Sequence, residues 1–154
     1  MKVLALDLGK KRIGVAVSDS QCKLAVPVGV IKRSDTWQSD ISAISDMVVR
    51  LGASKVVVGL PLSLNGKEGQ AALDATCEAK SLSEALTVPV VLHDERFSTA
   101  VAHNYFKETG TSHKKRRDKI DAAAATVILQ SWLDCYGDST SANSGGGFAP
   151  SKRF

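Results

Sequence analysis

Three acidic residues are the strongest candidates for chemistry in this chain: Asp7, Glu95 and Asp121. Asp7 ends an apolar run typical of a buried strand, Glu95 follows a second such run, and Asp121 opens a helix of small residues. Acids so far apart in sequence, each at the end of an element, suggest one shared metal site. Their hard oxygen ligands suit Mg²⁺ or Mn²⁺. Two such ions stabilise the attacking and leaving oxygens in phosphodiester hydrolysis, which is the reaction these acids predict.

Two of these acids also have a structural explanation that the pattern leaves open. Asp7-Leu8-Gly9 is a turn-forming sequence, and the helix dipole favours an acid such as Asp121 near a helix N-terminus. Strand alternation allows only one of Asp94 and Glu95 to face the site, and we select Glu95. Asp118 lies one helical turn before Asp121 and is predicted to be the N-cap of the last helix.

Basic residues lie near all three acids and could bind phosphate groups. The candidates are Lys10, Lys11, Arg12, Arg96, Lys114, Lys115, Arg116 and Arg117. Three of them follow Asp7 in a predicted turn, and one follows Glu95 directly. The last four belong to a polar, basic loop, predicted over Gly110–Arg117, at the rim of the same site. The alternatives are solvated surface charge for the runs and a surface salt bridge for Arg96.

The elements that must position these residues follow from the hydrophobic pattern. The predicted strands are Lys2–Leu8, Ile13–Ser18, Leu24–Lys32, Lys55–Leu60 and Val88–Leu92. The predicted helices run from a cap at Ser34 or Asp35 to Gly52, from Gly69 to near Leu86, from Ser98 to Phe106 and from Asp118 to Tyr136. Three leading strands followed by alternating helices and strands predict an α/β fold, with a mixed five-stranded sheet and helices on both faces.

Bulk composition bounds the class of protein. A chain of 154 residues, 44% hydrophobic and 23% charged, is expected to form one globular domain. We expect no membrane span and no signal or transit sequence. The unpaired spacing of Cys22, Cys77 and Cys135 favours a reducing cytoplasm over a disulfide framework or a zinc site. A net charge of +4 permits a polyanionic partner without requiring one.

Four ordered motifs resemble the YqgF/RuvX family, the Holliday-junction resolvases also described as pre-16S rRNA nucleases. The matching segments are residues 5–9 with 12–19, residues 57–62, residues 94–99, and Asp121 ahead of Ala123-Ala124 and Ile128-Leu129. The resemblance covers about residues 2 to 135 and implies a ribonuclease H-like fold. It also implies that Asp7, Glu95 and Asp121 are metal-binding acids. Residues 1–136 are then the nuclease domain, and residues 137–154, rich in Ser and Gly, are expected to be a disordered tail.

The resemblance implies a nuclease that depends on Mg²⁺ or Mn²⁺, with two ions expected. Processing of the 5′ end of precursor 16S rRNA in the cytoplasm is the favoured function, and Holliday-junction resolution is the alternative. Structured RNA is therefore the favoured partner, with branched DNA and a ribosomal precursor particle as further candidates, and no membrane partner is expected. The choice between monomer and homodimer stays open.

Two other classes of protein share features with this chain. Asp7-Leu8-Gly9 also resembles the first phosphate motif of actin, hexokinase and the chaperone ATPases, whose fold is related. Those proteins enclose ATP between two such domains, and this chain has the length of one. A non-catalytic nucleic-acid or ribosome-binding module is the second class, against which the three acids argue. ATP binding by the isolated protein discriminates the first class from a nuclease.

Overall fold

The computed structural model describes residues 1–61, 69–94 and 113–137, with side chains in the last range described from Ala122 onward. The strands are β1 (Lys2–Leu8), β2 (Arg12–Ser18), β3 (Ala25–Lys32), β4 (Ala53–Leu60) and β5 (Val90–Asp94). The helices in these ranges are α1 (Trp37–Leu51), α2 (Gln70–Ala85) and α3 (His113–Tyr136). The predicted helix Ser98–Phe106 and the tail from residue 138 onward lie outside the described residues.

The strands form one mixed sheet in the order β3-β2-β1-β4-β5. β1 pairs antiparallel with β2 and parallel with β4, β2 pairs antiparallel with β3, and β4 pairs parallel with β5. β1 is therefore the central strand, and its carboxyl end lies at the same edge as those of β4 and β5. The predicted mixed five-stranded sheet is confirmed.

Helices cover both faces of the sheet. Leu4 and Leu6 of β1 belong to a core that includes residues of α1 and α2. Val3 and Ala5 belong to a second core, formed with α3. Because successive side chains of a strand point to opposite faces, α1 and α2 pack on one face and α3 on the other. No helix within the described ranges combines the length and the apolar character that a membrane crossing requires.

Helix α1 ends where the sequence predicts and begins slightly later. Gly52 closes it in the left-handed conformation, at φ +67°, and its backbone N–H donates to Val48 and Val49 carbonyls. The N-cap is Thr36, whose side chain accepts a hydrogen bond from the Ser39 N–H. The prediction of Ser34 or Asp35 as the cap was wrong. Several adjacent residues here can cap a helix, and sequence alone does not rank them.

Helix α3 begins five residues earlier than predicted, at His113 instead of Asp118. The basic run 114–117 is therefore helical, and the predicted loop over Gly110–Arg117 is wrong for its last five residues. Asp118 lies inside the helix and is not its N-cap. Lysine and arginine are good helix formers, so a basic run can continue a helix as well as interrupt it.

Replacing Gly52 by alanine should lower the free energy of unfolding by about 1 kcal/mol, because a Cβ makes the left-handed conformation unfavourable. Steric overlap is not the cause, since a Cβ at residue 52 would have no atom beyond its chain neighbours within 4 Å. The matched control is Gly52→Asn, which should cost less because asparagine tolerates this conformation. Urea unfolding of the three proteins measures both effects. A loss for Gly52→Asn as large as that for Gly52→Ala would contradict this account.

Candidate active site

Asp7 lies near the carboxyl end of the central strand and pairs with Gly14 of β2. Its side chain is half-buried. Strand alternation places it on the sheet face of Val3 and Ala5, which is the face that α3 covers. An acid at the carboxyl edge of a sheet occupies the position where open α/β sheets bind their ligands.

The turn after Asp7 is held in a narrow conformation. The Gly9 N–H donates to the Asp7 carbonyl over 3.0 Å. A Cβ at Gly9 would lie 2.5 Å from the carbonyl oxygen of Arg12, so the turn requires glycine. Lys10 and Lys11 are exposed at its tip, and Arg12 is half-buried at the start of β2. Two of the three predicted cations beside Asp7 therefore point into solvent, where they can reach a polyanion.

Arg33, which belongs to none of the predicted basic groups, holds this turn in place. Its Nε donates to the Gly9 carbonyl over 2.7 Å, and its backbone N–H donates to the Lys11 carbonyl over 3.0 Å. Its two terminal nitrogens bind the Glu78 carboxylate of α2 at 2.6 and 3.1 Å. The paired side chains are only 18% and 23% exposed. This bidentate, partly buried ion pair fixes the turn against α2.

The other strand that approaches the site is β5, which ends at Asp94. In its pairing with β4, Gly59 aligns with His93 and Leu60 with Asp94. His93 lies on the α3 face, because its Nε2 shares a hydrogen bond of 2.9 Å with Ser131 Oγ of α3. Asp94 consequently lies on the face opposite to Asp7. Of the two acids weighed from the sequence, Asp94 does not share a face with Asp7.

Glu95 and Arg96, the other predicted site residues of this motif, lie outside the described residues. Asp121 is in α3, as is the basic run 114–117, and their side chains are not described. Asp7 is therefore the predicted metal ligand whose surroundings are known. Within the described ranges, no group of three His, Cys, Asp or Glu side chains converges on one point. The half-buried Asp7 carboxylate offers the oxygen ligand that Mg²⁺ and Mn²⁺ prefer.

Helix α3 is fixed at its C-terminal half. Gln130 donates to the Lys23 carbonyl over 3.1 Å and accepts from the Ala25 N–H over 3.0 Å. Both partners belong to the connection between β2 and β3 or to the start of β3. The Lys55 ammonium lies 5.2 Å from the centre of the Trp132 ring. These contacts anchor the end of α3 beyond residue 129 to the sheet.

His93 is buried, and burial lowers the pKa of its imidazole below the ordinary value of 6.5, while the charge of Asp94 acts weakly in the opposite direction. Its ring also meets Tyr136 edge to face, with centroids 6.5 Å apart. A neutral imidazole thus joins β5 to α3, two residues before Glu95. The sequence indicates no role for His93, because no nucleophile or metal-ligand spacing surrounds it.

A cleft lies on the other side of the same edge, between the turn and α2. Its volume is about 270 Å³. The residues that line it are Leu8, Gly9, Lys10, Arg33, Pro61, Ala71, Asp74, Ala75 and Glu78. It is small for a complete ligand site, since such sites usually measure about 300–1,000 Å³.

The family is decided by the match of residues 1–135 to RuvX, described as Holliday junction resolvase. The chain belongs to this family. It is 42% identical over 134 residues to a protein of Anaeromyxobacter sp. (strain Fw109-5) named "Putative pre-16S rRNA nuclease", covering 87% of this chain and 97% of the relative. A protein of the same name from Rhodococcus jostii (strain RHA1) is 42% identical over 150 residues, or 95% of this chain and 84% of the relative.

The fold of this RuvX-family protein also resembles a solved structure, that of T. thermophilus RuvC in complex with Holliday junction substrate. The TM-score is 0.54 at 16% sequence identity, and the match covers 90% of this chain and 96% of RuvC. At this identity the likeness shows the ribonuclease H-like fold alone. The predicted family and fold are confirmed, and the names of family and relatives agree with the predicted reaction class, phosphodiester hydrolysis.

Acid should destabilise the metal-free protein through His93. Because its pKa is lower in the folded than in the unfolded state, the unfolded chain binds more protons as the pH falls through 6.5. The free energy of unfolding should therefore drop below pH 6.5, with a slope of at most about 1.4 kcal/mol per pH unit from this group. His93→Gln should remove that part of the slope. Urea unfolding in a chelating buffer between pH 5 and 8 measures it, and identical slopes for both proteins would contradict the assignment.

Proposed function

We propose that this protein is a metal-dependent nuclease that hydrolyses phosphodiester bonds at the 5′ end of precursor 16S rRNA. The observation that carries the proposal is the position of Asp7. It is half-buried near the carboxyl end of the central strand, on the face that α3 covers. Family membership and the relatives' name support the reaction and the substrate. A cytoplasmic precursor particle is the partner that follows from this substrate.

Glu95 is proposed as the second acid because of the alternation along β5. Val91 packs in the α3-side core, and His93 bonds to α3. The same alternation, continued past the last residue of β5, Asp94, would put Glu95 on the face of Asp7. Arg96 would then follow on the other face, available to a phosphate outside the immediate site.

Asp121 is proposed as the third acid because of its spacing along α3. It precedes Ala125 by four residues and Ile128 by seven, and both of these are buried against the sheet. Residues at such intervals share one face of a helix. The alanines that follow Asp121 allow the helix backbone to approach the sheet closely, which a short carboxylate needs in order to reach the position of Asp7.

The length of α3 is compatible with the same grouping. Gln130 bonds to the β2–β3 connection, which lies at the amino end of β1, because Val3 N–H donates to Ser18 Oγ over 2.8 Å there. Asp121 precedes Gln130 by nine residues, or about 13 Å of helix. The rise from Val3 to Asp7 along β1 is also about 13 Å, so this part of α3 is long enough to span from the amino end of β1 to the level of Asp7.

Carboxylates of this kind would hold two Mg²⁺ or Mn²⁺ ions, which supply charge stabilisation for the attacking and leaving oxygens. Basic side chains of this chain would bind the phosphates of the substrate. Lys10 and Lys11 extend from the turn beside Asp7 and would bind the phosphates on one side of the cleaved bond. Arg33 binds no substrate in this scheme, since its guanidinium is engaged with Gly9 and Glu78. It holds the turn so that the lysines approach from a fixed direction.

Holliday-junction resolution is the second candidate function, favoured by the description of the family. The two are separated by incubating purified protein and Mg²⁺ or Mn²⁺ with a precursor 16S rRNA fragment, a four-way DNA junction and single strands of each. Faster cleavage of the rRNA fragment supports the proposal, and faster cleavage of the junction overturns it. ATP is not favoured, because the cleft beside the turn is smaller than the usual site for a complete ligand and has the exposed carboxylate of Asp74 on its rim.

Asp7→Asn should lower metal-dependent cleavage by more than about 100-fold while the fold is retained, since changes behind metal ligands already cost up to that factor. The matched control is Asp94→Asn, which removes an acid at the same edge on the opposite face and should keep most of the activity. Asp118→Asn should also keep most activity, because Asp118 lies three residues before Asp121, about 4.5 Å nearer the N-terminus of α3. Cleavage rates measure the loss of activity, and circular dichroism checks that each variant is folded. Full activity of a folded Asp7→Asn variant would show that Asp7 is not a metal ligand.

The helical form of the basic run limits which cations can bind the substrate. Consecutive helical residues are about 100° apart, so four in a row cannot share a face. Lys114 and Arg117 precede Asp121 by seven and four residues and fall on its face, whereas Lys115 and Arg116 do not. The double variant Lys114→Ala/Arg117→Ala should therefore reduce the salt dependence of binding, lowering the slope of log K against log salt by about 1.4 to 1.8.

The control is Lys115→Ala/Arg116→Ala, which removes the same charge from the same turn and should change the slope much less. Affinity for an RNA oligonucleotide is measured across a salt series in the absence of cleavage. Contacts to phosphates carry no direct sequence information, so the loss should be similar for RNA and DNA. Equal slopes for both double variants would show that the run acts only as general surface charge.

A further inference from the structure

We propose that the cleft between the β1–β2 turn and α2 binds one unstacked nucleobase that carries an amino group, next to the cleaved phosphate. This inference rests on the proposed function, because it assigns the cleft to the same nucleic acid. It adds a site that selects the substrate by base. The Asp7 site, by contrast, reads only the phosphate backbone.

The position of the cleft connects it to the proposed cleavage site. Leu8 lines the cleft, and Asp7 immediately precedes it in β1. Their Cα atoms are about 3.8 Å apart, and their side chains point to opposite faces of the sheet. A nucleic acid that crosses this edge can therefore place a phosphate beside Asp7 and an adjacent base against Leu8. Lys10 lies on the rim between the two, where it can bind the connecting backbone.

The size and lining of the cleft suit a single base. Its volume of about 270 Å³ falls below the range of sites for complete small molecules, about 300–1,000 Å³. Leu8, Pro61, Ala71 and Ala75 supply apolar walls. The two alanines are short, which leaves a shallow surface where a flat ring can lie. Every base has an apolar face, so such contacts are available to any sequence.

The charges on the rim favour a base over a phosphate. Glu78 is neutralised by Arg33 at 2.6 Å, but the carboxylate of Asp74 is exposed and bonded only to the amide of Gln70, at 2.9 Å, among the bonds the structure shows for it. A phosphate placed beside Asp74 would be repelled by that charge, whereas the cation of the rim, Lys10, lies on the turn side of the cleft. An exocyclic amino group would be attracted, as when Asp or Glu accepts from cytosine N4. Adenine, guanine and cytosine carry such an amino group and uracil does not. The first three should therefore bind beside Asp74 more tightly than uracil.

Recognition of this kind matches how proteins read RNA sequence. Specific RNA recognition mostly uses single-stranded segments, whose bases are splayed out and bonded along their edges. A base held in the cleft would fix the register of the strand relative to Asp7. The cleft would then determine which phosphodiester bond is cut, which the phosphate contacts cannot do.

The first experiment fills the cleft without removing any contact. Ala71 is exposed on α2, and Ala71→Phe would occupy the space where the base is proposed to lie. The matched control is Ala85→Phe, at an exposed position of the same helix that does not line the cleft. Binding is measured by fluorescence anisotropy with single-stranded RNA oligonucleotides and Ca²⁺, and folding by circular dichroism. Ala71→Leu provides a smaller filling side chain if the phenylalanine perturbs α2.

The probes are RNA oligonucleotides in which one nucleotide at a time is abasic. For the wild type and Ala85→Phe, one abasic position should weaken binding by about tenfold, because the apolar contacts of the base with the cleft walls and its bond to Asp74 are lost together. Ala71→Phe should bind the intact RNA correspondingly more weakly and should be insensitive to that position. The proposal would be overturned if the wild type bound every abasic RNA with the same affinity. Equal affinities of Ala71→Phe and Ala85→Phe for the intact RNA would also overturn it.

The second experiment tests whether the carboxylate of Asp74 selects the base. At the sensitive position, wild type should prefer adenine, guanine or cytosine to uracil, and Asp74→Ala should lose that preference while retaining sensitivity to base removal. A wild-type protein without this preference would overturn the assignment of an amino-bearing base. Because these measurements record binding, they are separate from cleavage. If Asp7→Asn cleaves normally but one abasic position still weakens binding, the metal-site proposal fails and the cleft assignment stands.

Discussion

The parallel pairing of β1 with β4 is the constraint on which the rest of the structure depends. It makes β1 a central strand, buried on both faces, so helices must cover both sides of the sheet. It also brings the carboxyl ends of β1, β4 and β5 to one edge. Asp7 occupies that edge because it ends an apolar run that could not accommodate a charge earlier. The position of the candidate site is thus a consequence of strand order.

The two faces of this edge have different surroundings. On one face, α3 packs against Val3 and Ala5 of β1, and His93 joins α3 to β5 through Ser131. On the other face, Arg33 joins the turn to α2 and borders the cleft. The turn at Gly9 is shared by both faces, so its narrow conformation affects each of them. A single short turn, held by one arginine, therefore links the position of phosphate contacts to the shape of the cleft.

Sequence predicts the parts of this molecule that depend on local pattern. The bounds of β1 and the closing Gly52 follow from apolar runs and from the rarity of left-handed residues other than glycine. The start of α3 was missed because a basic run reads equally well as loop or helix. Arg33 and His93 were missed because their partners, Glu78 and Ser131, lie 45 and 38 residues away. These side-chain contacts exist only after the sheet has formed, so no local sequence pattern predicts them.

The anchoring of α3 has a consequence for the order in which the chain becomes functional. Gln130 bonds to Lys23 and Ala25 across separations of 107 and 105 residues. Contacts this distant in sequence form late, whereas the β1–β2–β3 meander requires only short loops. During synthesis, the meander that contains Asp7 can therefore form well before α3 docks. On the proposed assignment of Asp121, a growing chain would lack one metal-binding acid, and its capacity to cut RNA would arise only when the last helix has left the ribosome.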